Sequence, residues 1–161
     1  MFNLKAEFYL KIIFLFSFIA LISAFFIEYI LGHQPCNLCL IERIPYGLSI
    51  MIIMAIFLIR KNQKFLVMLL ILTFIFSFAI SFYHFGIEQG FFQESSVCGV
   101  KNLTESATKE DLLKQLSEKT ISCKDVTFRI FGLSLTSINI VISLLFIITL
   151  LKIFKKYEKN K

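Results

Sequence analysis

A Cys-x-x-Cys motif is the feature of this sequence that most clearly points to chemistry. Cys36-Asn37-Leu38-Cys39 follows directly after Pro35. Proline is favoured in the first turn of a helix, because the N–H that it lacks would have no partner there. If a helix begins near Pro35, both sulfurs lie at its N-terminus, where the helix dipole favours the thiolate. A thiolate in this setting is a ready electron donor, so the motif predicts thiol–disulfide chemistry.

Arg43 is the basic residue closest to this motif within the helix that the motif would begin. It lies four residues after Cys39 and continues the same helical face one turn deeper. An arginine at the edge of an apolar segment is unfavourable unless it is paired, so it is a candidate functional residue. Its charge could hold a quinone carbonyl or stabilise a thiolate. Snorkelling to the membrane interface, or an ion pair with Glu42, would also account for it.

Pro45 removes one backbone hydrogen bond and predicts a kink in the helix at this turn.

Two further polar residues lie near the ends of apolar segments. His84 is near the end of the third segment, one turn before Glu88. It could hydrogen-bond a neighbour in a buried position, or it could line an acceptor site or relay a proton. Glu28, near the end of the first segment, is expected to reach the membrane interface.

The other two cysteines, Cys98 and Cys123, are 25 positions apart. A disulfide between them would stabilise the fold by about 3.5 kcal/mol in the chain-entropy treatment, so a purely structural role stays open. A zinc site made of four thiolates would favour a second closely spaced pair, and no metal is expected there. Two pairs on two loops of one membrane face suit electron transfer by successive thiolate attacks. Because the second pair belongs to a polar loop that is expected to be mobile, it is the pair predicted to reach a soluble protein.

The composition indicates an integral membrane protein. With 161 residues, 57% hydrophobic content and a mean hydropathy of +0.79, the chain is too apolar for a soluble domain of this size. Its apolar segments have the length needed to cross a bilayer as helices. The predicted fold is all-α, a single four-helix membrane bundle with spans at about 11–31, 40–59, 65–86 and 130–151.

The charge distribution predicts the orientation of these spans. Segments 1–10, 60–64 and 152–161, with Lys11 at the edge of the first span, contain ten basic and two acidic residues, a net charge of +8. The remaining seven basic and nine acidic residues give −2, and together the two sides make up the total of +6. By the positive-inside rule both termini are cytoplasmic, and loops 32–43 and 87–129 face the other side. The net charge therefore reports topology, and nucleic-acid binding is not expected.

The second loop is long and polar, and it lacks the residues for a core of its own. Within it, segment 109–118 places Leu112, Leu113 and Leu116 on one helical face. Thr108 and Asp111 have the spacing of a capping box. The loop is therefore predicted to contain a short amphipathic helix resting on the membrane interface, although a merely solvated helix would show the same pattern.

The motif and its surroundings resemble a known family. The segment from Cys36 to Arg43, preceded by Pro35 and followed by a span, is similar to the first periplasmic loop of the disulfide bond formation protein B (DsbB) family. Cys98 and Cys123 resemble the second-loop cysteine pair of that family. His84 matches a histidine at the end of its third helix. The resemblance covers essentially the whole chain, but this sequence has no Trp. Phe and Tyr must therefore supply any ring packing against a quinone.

The resemblance implies an oxidoreductase of the bacterial inner membrane that forms disulfides and passes the electrons to a quinone, either ubiquinone or menaquinone. Cys39 would face the quinone with Cys36 as its disulfide partner, and Arg43 would line the quinone site. Further candidates for that site are His84 and Glu42. The reduced soluble partner, a periplasmic DsbA-like protein of the thioredoxin fold, would attack Cys98, and Cys123 would resolve the mixed disulfide. The implied disulfides are Cys36–Cys39 and Cys98–Cys123.

Two alternatives remain at this point. The vitamin K epoxide reductase family also couples a Cys-x-x-Cys motif in a four-helix bundle to a quinone, but there the loop cysteines precede the motif, whereas here they follow it. The other alternative is a structural membrane protein with two inert disulfides.

Overall fold

The described part of the chain is helical and apolar. The computed structural model describes residues 4–59, 62–94, 98, 122–124, 129–130 and 133–159. Its helices are α1 (Leu4–Tyr29), α2 (Asn37–Ile41), α3 (Ile44–Leu58), α4 (Gln63–Glu88) and α5 (Leu135–Lys159), with short strands β1 (Arg129–Ile130) and β2 (Leu133–Ser134) before α5. In these residues four segments are long and apolar enough to cross a membrane, and α2 with α3 forms the second of them. The predicted all-α fold of four membrane helices is confirmed. The amphipathic helix expected at 109–118 lies outside the described residues.

The bundle buries one side of each long helix and leaves large apolar side chains on its outer surface. Helix α4 contacts both α3 and α5, and α1 contacts α3. Each of the four spans contributes a fully buried side chain to the core: Leu10, Ile53, Phe74 and Leu150. On the outside, Met51 is 71% exposed. Such exposure of apolar side chains is unfavourable in water and favourable in lipid, as expected of a membrane bundle.

Short polar side chains connect the helices inside the bundle. Ser49 Oγ donates to Ser17 Oγ across α1 and α3 at 3.0 Å. Ser143 Oγ donates to Ser77 Oγ across α4 and α5 at 3.1 Å. Ser49 and Ser143 can also donate to acceptors on their own helices, Tyr46 O and Asn139 Oδ1, so the bonds between helices favour these packed faces without being the only way to satisfy the hydroxyls.

The second span is interrupted beside the Cys-x-x-Cys motif. Helix α2 ends at Ile41, and α3 begins at Ile44 with Pro45 in its first turn. Proline fits this position because no intrahelical bond is lost there. Glu42 and Arg43 form the turn between the two helices. The break turns their side chains in different directions, which decides the geometry of the site.

Candidate active site

Cys36 and Cys39 lie at the start of the second span. Cys36 is the N-cap residue of α2, and its sulfur accepts a hydrogen bond from the Cys39 backbone N–H at 3.2 Å. Cys36 is buried and Cys39 is partly exposed, and both are free thiols. The expected Cys36–Cys39 disulfide therefore stays a prediction about the oxidised state.

His84 and Glu42 lie behind Cys36. The His84 Nε2 atom is 3.6 Å from Cys36 Sγ, and His84 Nδ1 is 2.9 Å from Glu42 Oε1. The second oxygen of Glu42 accepts a hydrogen bond from Asn139 Nδ2 at 3.2 Å. His84 thus connects a thiol on the second span to a fixed carboxylate. This arrangement can take a proton from the thiol and stabilise the resulting imidazolium.

The surroundings of Cys36, which precedes the second span, favour its thiolate. The hydrogen bond from the Cys39 thiol has the largest effect and, with a smaller contribution from His84, lowers the pKa of Cys36 to about 5, although burial acts in the opposite direction. At neutral pH the dithiol form therefore holds its negative charge on Cys36.

This charge distribution predicts an unusual alkylation profile. In the reduced protein, Cys36 modification by a small alkylating reagent should reach its full rate within about two units above pH 5. In Cys39→Ala the midpoint should move to higher pH, because the main stabilising donor is gone. Peptide mass spectrometry at a series of pH values measures both profiles. An ordinary thiol midpoint in the unmodified chain would contradict the prediction.

Arg43 pairs with residues of α1. Its guanidinium forms an ion pair with the Glu28 carboxylate and lies over the Phe25 ring, 5.3 Å from the ring centre. The structure thus does not show the Arg43–Glu42 pair that the sequence left open, because Glu42 binds His84. Glu28 was expected only to reach the interface. The sequence did indicate that Glu28 needs a partner, because a carboxylate inside an apolar segment is unfavourable when it is unpaired. Arg43 is that partner.

Cys98 and Cys123 are joined by a disulfide. Their exposed fractions are only 1% and 2%, and they share one buried cluster with Cys36, Leu38 and Ile87. The expectation that this pair is freely accessible on a polar loop is therefore wrong for the described conformation. Apolar side chains at the ends of α2 and α4 give the disulfide a surface to pack against, which loop composition alone does not reveal. The two cysteine pairs lie side by side.

Glu94 holds the chain next to Cys123 in place. Its Oε1 atom accepts hydrogen bonds from the Ser122 hydroxyl and from the Lys124 backbone N–H, the latter at 3.1 Å. These residues flank Cys123 on both sides. A movement of the chain around Cys123 that exposes the disulfide must break both of these hydrogen bonds.

Removing this carboxylate should therefore expose the disulfide. Glu94→Ala is expected to raise the rate at which dithiothreitol reduces Cys98–Cys123 by about tenfold, the effect of losing about 1.5 kcal/mol of charge-assisted hydrogen bonding from the closed form. Gln93→Ala, at a neighbouring exposed position, is the matched control. Thiol trapping over time gives the rates. Equal rates in the two variants would show that Glu94 does not control opening.

Glu88 is the other carboxylate near His84. Its Oε1 atom accepts a hydrogen bond from the Thr136 hydroxyl at 2.7 Å and lies 3.9 Å from His84 Nε2. Its Oε2 atom is buried and has no hydrogen-bond partner among the described residues. A buried carboxylate oxygen without a donor marks a place where a proton or a cation would be stabilised.

The residues around Arg43 fit a quinone. Among the described residues, Glu28 engages one nitrogen of the guanidinium, Nη1, and the guanidinium has further N–H groups that could bind a carbonyl oxygen. Leu40 and Ile44 beside the turn are exposed on the apolar surface, which a lipid-soluble ring could reach. Cys39 is the more exposed thiol of its pair. By contrast, both oxygens of Glu42 are already bonded, so Glu42 and His84 fit a role behind Cys36 better than direct contact with a quinone.

Comparison with known proteins agrees with this site. The sequence model described as "Disulfide bond formation protein DsbB" matches residues 6–153. The chain is also 32% identical over 147 residues to uncharacterized protein RP370 of Rickettsia prowazekii (strain Madrid E), which covers 90% of this chain and 86% of that protein. No solved structure matches. The match over nearly the whole chain, together with four membrane-spanning helices and two adjacent cysteine pairs, shows that this protein belongs to the DsbB family of disulfide-forming oxidoreductases of the bacterial inner membrane.

Proposed function

We propose that this protein is a thiol:quinone oxidoreductase that reoxidises a DsbA-like periplasmic dithiol protein and passes the electrons to a membrane quinone. The observation that carries the proposal is the single buried cluster that contains the Cys98–Cys123 disulfide together with Cys36, with Cys39 at its edge. Electrons can move between two cysteine pairs only if their sulfurs can meet, and this packing keeps them close.

The first exchange takes place at Cys98. A thiolate of the soluble partner attacks the Cys98 sulfur, a mixed disulfide forms, and Cys123 leaves as a thiolate. The second thiol of the partner then completes the partner's own disulfide and releases Cys98. Cys123 does not resolve this mixed disulfide, as the resemblance implied, because its attack on Cys98 would only return the partner in its reduced form. Two electrons have entered the chain, and the partner leaves oxidised. Release of the Glu94 contacts precedes this step, because both sulfurs are buried in the closed conformation.

The second exchange takes place within the cluster. The Cys123 thiolate attacks Cys36 in the oxidised Cys36–Cys39 pair, and Cys39 leaves. Cys98 then attacks Cys123, which restores the Cys98–Cys123 disulfide and leaves Cys36 as a thiolate. The products are the states seen in the structure, a disulfide at Cys98–Cys123 and free thiols at Cys36 and Cys39.

Reoxidation of the dithiol takes place at the membrane. A bound quinone supplies the chemistry of accepting two electrons and two protons. Arg43 would hold it through a carbonyl oxygen, beside Cys39. His84 can take the Cys36 proton at Nε2, while Glu42 holds the ring in place through Nδ1. Arg43 thus serves the quinone next to Cys39, and the His84–Glu42 pair serves Cys36.

Trapping the partner tests the direction of electron flow. A DsbA-like protein with only its attacking cysteine cannot complete its own disulfide, so it should accumulate as a mixed disulfide on Cys98. Non-reducing gels followed by peptide mass spectrometry identify the trapped cysteine. The same partner with neither cysteine is the control. A partner trapped on Cys36 would show that the proposed order of the two pairs is wrong.

The proposal also requires the cysteine loops to face the periplasm. Alkaline phosphatase fused after Glu94 should be active, and the same enzyme fused after Asn62 should be inactive, because it folds only outside the cytoplasm. The expected contrast follows from the charges of +8 and −2 on the two sides. The reverse pattern would place the cysteines in a reducing compartment and would exclude this function.

A further inference from the structure

Three potential metal ligands meet at the Cys-x-x-Cys motif. The sulfurs of Cys36 and Cys39 and a ring nitrogen of His84 all lie within 4.8 Å of one another. A tetrahedral zinc ion holds sulfur at about 2.3 Å and imidazole nitrogen at about 2.0 Å, which places two such ligand atoms roughly 3.6 Å apart. The observed distance from Cys36 Sγ to His84 Nε2 is 3.6 Å. These two ligand atoms therefore already have the spacing that the ion requires.

The outer contacts of His84 match those of a metal-binding histidine. Glu42 accepts from Nδ1 at 2.9 Å, and Asn139 in turn fixes Glu42. A carboxylate in this position keeps the proton on Nδ1, directs the Nε2 lone pair toward the thiols and makes the ring a better ligand.

Glu88 supplies an independent observation. Its side chain is 5% exposed, one oxygen lies 3.9 Å from His84 Nε2, and the other oxygen has no hydrogen-bond partner in the described part of the chain. A small rotation would bring this carboxylate, or a water that it holds, to the fourth position of a tetrahedral site. Two thiolates neutralise a divalent ion, so a water held by Glu88 would complete the coordination without adding charge to the metal.

We propose that the dithiol form of the Cys36–Cys39 pair binds Zn²⁺ through Cys36, Cys39 and His84, and that the bound ion arrests the enzyme in its reduced state. Binding releases the protons still held by the two sulfurs and by His84 Nε2, and it transfers no electrons. Thiolate ligands select zinc over magnesium or calcium. The disulfide form has no thiolate to offer, so the site exists only in the part of each turnover between reduction of the Cys36–Cys39 pair and its reoxidation. The proposed metal binding is argued from the geometry of the site alone, whereas the proposed arrest of the enzyme by zinc rests on the proposed function.

Binding is tested on the full-length Cys98→Ser/Cys123→Ser chain in detergent, where Cys36 and Cys39 are the only thiols. Co²⁺ added to the reduced protein should give thiolate-to-cobalt charge-transfer and tetrahedral d–d absorption at one ion per chain, and Zn²⁺ should displace it. The same protein with Cys36 and Cys39 oxidised should show neither band. Equal binding by both redox forms would overturn the proposal.

Variants separate this site from adventitious thiol binding. His84→Gln should weaken zinc binding by at least about tenfold, and Glu42→Gln by about tenfold, the usual effect of removing an outer-shell partner. Glu94→Gln, a carboxylate outside the ligand set, is the matched control. Retained circular dichroism excludes unfolding as the cause. Unchanged affinity in His84→Gln would show that the histidine is not a ligand.

The arrest is tested on the unmodified chain with a DsbA-like dithiol protein and a soluble quinone. Zinc should stop turnover, and a chelator should restore it fully. If zinc binds but turnover continues, the regulatory part of the proposal is wrong. If the chain does not turn over even without zinc, the proposed function fails while the binding experiment is unaffected.

Discussion

Cys39→Ser is expected to lower steady-state quinone reduction by three orders of magnitude or more, on the scale of losing a covalent reactant. Without Cys39 the dithiol at the membrane cannot close into a disulfide, so its electrons have no route out of the chain. The Cys98–Cys123 disulfide is untouched, and each molecule should still oxidise about one equivalent of the reduced partner. Counting partner thiols in quenched samples measures how much partner is oxidised, and quinone absorbance followed in the same reaction measures the rate of quinone reduction.

That single equivalent is the internal control for this variant. It shows that the chain is folded and that the partner still reaches Cys98. Sustained turnover in Cys39→Ser would contradict the assignment of Cys39, and loss of the single equivalent would indicate that the outer disulfide no longer works. Cys36→Ser should resemble Cys39→Ser in steady state, because either substitution prevents the same disulfide.

The second large effect is expected at Arg43. Arg43→Met should raise the apparent quinone KM by one to two orders of magnitude, which corresponds to about 1.5 to 3 kcal/mol for a charged hydrogen bond. Arg43→Lys should give an intermediate value, because lysine keeps the charge but loses the planar fork of donors. The KM for the soluble partner should stay the same. A quinone KM that does not change would show that Arg43 serves only to pair with Glu28.

Arg43→Met leaves Glu28 without its counter-ion at the membrane, so misfolding could be mistaken for lost binding. The double variant Arg43→Met/Glu28→Gln removes both charges and controls for this effect. It should fold like the unmodified chain and keep the high quinone KM. Glu28→Gln alone should raise the quinone KM by a smaller factor, because Arg43 then lacks the partner that holds it over Phe25. A normal KM in the double variant would assign the effect of Arg43→Met to misfolding.

The sequence was sufficient for the fold and for the location of the thiols. Long apolar segments can satisfy their backbone in lipid only as helices, so the four spans followed from composition. Pro35 correctly placed Cys36 at the start of a helix. The spans and the helix start depend only on residues that are close together in the sequence, so local physical rules are enough to predict them.

The partners of the charged residues could not be predicted in the same way. Glu42 and Arg43 are adjacent in the sequence, yet Glu42 binds His84 on α4 and Arg43 binds Glu28 on α1. These pairs depend on how the helices pack and on the break before α3. The burial of Cys98 was missed for a similar reason, since a polar loop gives no sign of the apolar surface that covers one of its residues.

The serine bonds inside the bundle have a consequence for biogenesis. Ser17–Ser49 joins the two spans of the first half of the chain, and Ser77–Ser143 joins the two spans of the second half. Each half can therefore enter the bilayer with its hydroxyls already satisfied, before it meets the other. Asn139 connects the halves through Glu42. Since Cys36 belongs to one half and His84 to the other, a newly made chain acquires its redox chemistry only when the two inserted halves assemble.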